Sequence, residues 1–136
     1  MMDDAQKTVF DTIVEQQVEA LPYTIQLLLQ ETPLLVEDRP SEQLLKELGM
    51  DSGQADELCG VYCGIGLTDR SVEDSMTEPQ TITIFREGIF ALVSGRLAGD
   101  ESLEELLAHE IRVTILHEVG HHFGLDENDL DALGYA

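Results

Sequence analysis

Near the carboxyl end of the chain, His117, Glu118 and His121 stand in the order His-Glu-Val-Gly-His. On a helix, residues four apart are separated by about 40° around the axis, so both imidazoles can reach one point. Zinc accepts histidine nitrogen at about 2.0–2.1 Å, and two such rings supply two of its ligands. Glu118 follows the first histidine and sits on the flank of that face. There it can take a proton from a water held by the metal without occupying the metal itself. The helix carboxyl end carries partial negative charge, which suits a cation. The chemistry this pattern points to is metal-assisted hydrolysis.

Such a site needs a rigid helix, and the sequence supplies one over about 102–123. Ser102 and Glu105 form an S-x-x-E capping box, and Gly124 stands where a helix stops. Ile115, Leu116, Val119 and Phe123 make an apolar stripe expected to bury against a sheet. Glu110 and Thr114 are expected on the histidine face. Upstream, residues 4–20 carry Val9, Ile13, Val14 and Val18 at helical spacing. Residues 22–31 read as a second helix behind Pro22, and 33–38 as a short strand. Ser41 caps a helix that Gly49 ends. The stretch 58–67 is apolar, punctuated by glycine and strand-like. Residues 68–80 read as a polar loop, and 81–86, Thr-Ile-Thr-Ile-Phe-Arg, as the cleanest strand. Glu87-Gly88 reads as a turn, 89–97 as helix or edge strand, and 127–133 as a last short helix.

Read to residue 127, the motif is His-Glu-Val-Gly-His-His-Phe-Gly-Leu-Asp-Glu. It resembles H-E-x-x-H-x-x-G-x-x-(H or D), the zinc signature of metzincins and Asp-zincins. More closely, it resembles the small bacterial minimal zincin metallopeptidase-like family. Leu21-Pro22, Leu-Val-Glu-Asp at 35–38, Gly-Val-Tyr-Cys-Gly at 60–64 and Ile-Thr-Ile-Phe-Arg at 82–86 are also similar to that family, so the likeness runs from about residue 10 onward. The resemblance implies an α+β, zincin-like fold. A small mixed sheet packs against the long motif helix, and the N-terminal helix covers the other side. It implies one Zn²⁺ per chain, held by His117, His121 and a third ligand. By register that ligand is Glu127, where related proteins more often carry Asp; Asp126 and Asp129 stand close by. The chain departs from true metzincins in having no Met-turn, since Met1, Met2, Met50 and Met76 all precede the motif. Few residues follow it, so a lower wall for the cleft is expected to be missing or to come from upstream loops or another subunit.

The expected activity is that of a zinc metallopeptidase with Glu118 as the base. The alternative is a non-catalytic binding module of the same fold, its metal site closed by Asp126 and Glu127 together. Glu118-Val-Gly-His121 is also an E-x-x-H element of di-iron bundles, but such a site needs a second copy, and the chain has none. His109 and His122 read as surface or packing residues, and Cys59 and Cys63 as small buried residues. Tyr62 and Tyr135 are candidate oxyanion donors whose simpler reading is packing.

The whole chain of 136 residues, 1–136, reads as one domain. Its 28 acidic residues against 7 basic give a net charge of −21, which repels phosphate. Nucleic acid is excluded as a partner and an anionic membrane is disfavoured. Peptide or protein substrates, the basic ones favoured, fit that charge. No apolar run is long enough to span a bilayer, and the first residues carry no secretory pattern. With two cysteines as thiols, a reducing, cytoplasmic setting is expected.

Overall fold

The computed structural model describes residues 2–63, 80–96 and 102–123, with Cys63 and residues 121–123 described by backbone alone. The expected strand end at 64–67, the loop at 68–79, Gly124 and the helix at 127–133 lie outside the described residues.

Helix α1 (Asp4–Ala20) begins at a reciprocal cap: Asp3 accepts the Gln6 N–H at 2.8 Å, and Gln6 accepts the Asp3 N–H at 3.0 Å. It buries Phe10, Ile13 and Val14. Helix α2 (Tyr23–Glu31) follows Pro22 and buries Ile25. Strand β1 (Leu34–Glu37) leads to α3 (Glu42–Glu47), where Ser41 Oγ accepts the Leu44 N–H at 3.1 Å. Gly49, at φ +73°, takes the left-handed turn after that helix. A 3₁₀ turn (Ser52–Glu57) comes next, which the hydrophobic pattern does not foretell. Its local signal is Gln54, three residues after Asp51, whose side chain accepts the Asp51 N–H at 2.8 Å.

Strands β2 (Gly60–Cys63) and β3 (Thr81–Phe85) complete a three-stranded sheet in the order β1-β3-β2. It is mixed. β1 runs parallel to β3 with Leu34 opposite Ile82, and β2 runs antiparallel with Gly60 opposite Ile84. Residues 82–85 of the central strand are all buried, Thr83 included, as expected of a strand covered on both faces.

Here the structure corrects the turn expected at Glu87-Gly88. Helix α4 (Arg86–Arg96) starts directly after β3 and runs through both residues. Gly88 serves close packing rather than chain reversal: a Cβ on it would stand 2.1 Å from the Leu58 carbonyl oxygen. The helical choice for the segment after it is thereby settled. Helix α5 (Leu103–Phe123) packs on β2, β3 and α4, and α1 lies along α5 itself. Phe10, Ile25, Ile82, Ile84, Ile89, Val93, Ile111 and Ile115 meet in one core, each fully buried.

A charged clamp ties α1 to the end of β1 and the start of α4. Arg86 donates from Nε and Nη2 to Asp11 at 2.8 Å each, and from Nη1 to Asp38 at 2.9 Å. Lys7 Nζ reaches the other Asp38 oxygen at 3.0 Å. The Lys7 hydrogen bond leads in pulling the Asp38 pKa below 3.8; partial burial opposes it, and Arg86 adds to it. A depressed carboxylate stabilises the fold above its unfolded pKa and stops doing so as pH falls through the folded value. Arg86→Gln is therefore expected to destabilise the protein at pH 7 by about 1–2 kcal/mol, because both carboxylates stay partly solvated. The gap to wild type should shrink as pH drops below the ordinary Asp range. Thermal unfolding of both proteins from pH 7 to pH 3 checks this, and a gap that widens in acid would contradict it.

Candidate metal centre

Helix α5 owes its orientation to one buried stripe. Leu107, Ile111, Ile115, Leu116 and Val119 are all at most 2% exposed. They face the core, as the apolar pattern implies. At the amino end Ser102 Oγ accepts the Glu105 N–H at 3.4 Å, one half of the expected box. His117 stands on the exposed side and Glu118 is half-buried beside it. His121 lies one turn further along the same helix. His109 is exposed, matching its surface reading.

Glu110, Thr114 and Glu118 follow one another at four-residue intervals along one side of α5. That side is not an open cleft. Glu110 is 7% exposed and Thr114 8%. Strand β2 lies against it: a Cβ on Gly60 would stand 2.8 Å from Thr114 Cγ2 and 3.5 Å from Glu118 Cγ. Glu110 and Thr114, expected on the histidine face, are buried rather than open to solvent. They are the contact surface for the edge strand. Glu118 is the member of the row that stands next to the exposed His117.

Arg96, at the end of α4, makes an ion pair with Glu110, which keeps the buried carboxylate compensated. Cys59, a free thiol just before β2, is half-buried nearby. Burial pushes its pKa above the ordinary thiol value, Glu110 adds to the rise, and Arg96 offsets part of it. Since the thiolate is the reactive form, Cys59 is expected to react with a disulfide reagent several-fold more slowly than free cysteine at pH 8. Labelling kinetics on a Cys63→Ser background check this; a rate at or above that of free cysteine would contradict it. Tyr62 packs against the core with its hydroxyl buried, which agrees with its packing role.

Two cavities elsewhere do not mark the site. One of about 540 Å³ runs along Val14, Val18, Leu29 and Leu34, and one of about 390 Å³ along Met2, Val9, Phe90 and Leu107. Neither is lined by His117 or Glu118. Sequence reasoning missed Gly60 and Arg96. For Gly60 the available signal is a glycine opening an apolar strand, which marks a close approach by another chain segment. For Arg96 no local signal exists, because its partner lies on a different helix.

The donors suit zinc. Histidine nitrogen is a common zinc ligand, and His117 and His121 stand four apart on one regular helix. Among the described residues, no group of three His, Cys, Asp or Glu side chains comes together to hold a metal. The candidates for the third ligand, Asp126, Glu127 and Asp129, lie outside the described residues, as does Tyr135. Residues 29–135 match the model of the zincin-like metallopeptidase family. The chain belongs to that family, and the fold fits, a mixed α+β arrangement with a small sheet against a long helix. A search of curated proteins gave no match. No helix among the described residues is long and apolar enough to cross a membrane.

Proposed function

We propose that the protein is a zinc-dependent peptidase whose metal is held, one per chain, by His117, His121 and either Glu127 or Asp126. The observation that carries this reading is the placing of Glu118. It is half-buried against the edge strand β2, beside the exposed His117, in a member of the zincin-like metallopeptidase family.

Zinc bound there would supply a Lewis acid that polarises a carbonyl and makes water acidic enough to attack at neutral pH. The protein's own groups do the rest. The Glu118 carboxylate accepts the proton of the attacking water. It then returns that proton to the amine that leaves when the peptide C–N bond breaks. Its stem lies 3.5 Å from where a Cβ on Gly60 would stand, so β2 limits where the carboxylate can swing. Among the described residues β2 is paired only with β3, so its outer edge can hydrogen-bond an extended peptide. The chain's net charge of −21 favours basic peptides. A free thiol at Cys59 supports a reducing, cytoplasmic setting.

A peptide library enriched in Lys and Arg, incubated with zinc-loaded protein, tests the proposal. Cleavage that a chelator stops and added zinc restores is expected. Absence of chelator-sensitive cleavage across the library would contradict it.

A further inference from the structure

We infer that Gly60 and Thr114 are a positioning pair for Glu118: the missing side chain at Gly60 lets β2 lie against α5, and the Thr114 methyl group fills the space and holds the Glu118 stem. The inference rests on the role proposed for Glu118 and adds two residues that act through it.

The space at Gly60 is closed on three sides. A Cβ there would meet Thr114 Cγ2 at 2.8 Å, closer than real Cβ atoms come. It would meet the Thr83 carbonyl oxygen at 3.3 Å and Glu118 Cγ at 3.5 Å. The strand cannot easily retreat. Gly60 is in register with Ile84, and the Cys59 carbonyl accepts the Phe85 N–H at 2.8 Å. Just before it, the Leu58 carbonyl lies under Gly88 with no room to spare. Relief must therefore come from the α5 side. Thr114 is buried, and β-branching restricts its χ1 in a helix. Its neighbour one turn on is Glu118, so a displaced methyl group pushes toward the Glu118 stem. Any side chain at position 60 thus disturbs the carboxylate without touching His117.

The test uses Gly60→Ala, Thr114→Ser and the double variant. Serine keeps the hydroxyl and deletes the methyl that the new Cβ would strike. Each protein is examined for turnover of a cleaved peptide, zinc content, and the ¹³C resonance of the Glu118 carboxylate at fixed pH. Gly60→Ala is expected to lower kcat about 10- to 100-fold, the scale of an ångström-level misplacement of a reacting group. KM and zinc content should stay near wild type, and the Glu118 resonance should shift. The double variant should recover most of kcat and return the resonance. Wild-type kcat with an unmoved resonance in Gly60→Ala would overturn the inference. So would a loss that Thr114→Ser fails to repair. If Gly60→Ala alone does not fold, the double variant decides. Folded with near-normal kcat and resonance, it supports the pair; unfolded or displaced, it overturns it. Because the resonance is read without substrate, the pair is judged even where wild type cleaves nothing, which would sink the peptidase reading separately.

Discussion

Glu118→Gln is expected to lower kcat about a thousandfold, within the range for losing a positioned general base. Glutamine matches glutamate in size and still accepts a hydrogen bond, but it takes no proton at neutral pH. The stem that lies 3.5 Å from the Gly60 Cβ position is retained, so the packing of β2 on α5 stays as it is. KM should change little, because substrate affinity does not depend on the proton transfer. Zinc content should also hold, since the proposed ligands are His117, His121 and a carboxylate beyond them. Full turnover in Glu118→Gln would remove the carboxylate from the chemistry. Lost zinc in that variant would make it a ligand instead.

Gly88→Ala is the second large effect, and two terms of opposite sign compete in it. In an exposed helix interior alanine is favoured over glycine by about 1 kcal/mol. Against that, the new Cβ would stand 2.1 Å from the Leu58 carbonyl oxygen and 2.8 Å from its carbon. Both are backbone atoms, so no side chain can swing away. Moving Leu58 would drag Cys59, whose carbonyl bonds to Phe85, and with it the start of β2. Overpacking of this kind costs about 3 kcal/mol or more, so the clash outweighs the helix preference. The unfolding midpoint in denaturant should fall sharply in Gly88→Ala. A midpoint at or above wild type would show that α4 does not bear on the strand as described.

Local signals account for what the sequence reveals. Caps are local, and Ser41 and Ser102 each bond where the helix begins. The apolar stripe of α5 and the Thr-Ile alternation of β3 also have a period readable without tertiary information. The His117-Glu118-His121 spacing belongs to the same class, because one helical turn defines it. Gly88 is different. A glycine after a strand reads as a turn, and only the carbonyl of a distant residue explains why this helical position carries no side chain. The same holds for Glu110 and Thr114. Their polar side chains suggest an open face, yet β2 and Arg96 cover them. Contacts between segments far apart in sequence leave no periodic trace, so the wall of the site was not legible while its central helix was.

The central claim is that His117 and His121 hold a metal. Elemental mass spectrometry on untagged protein, purified without added metal, beside a His117→Ala control, addresses it most directly. The expected result is about one zinc per chain in wild type and almost none in the control, the pattern of a site that loses one of three protein ligands. Metal absent from wild type even after zinc is added back, or equal in both proteins, would contradict the account.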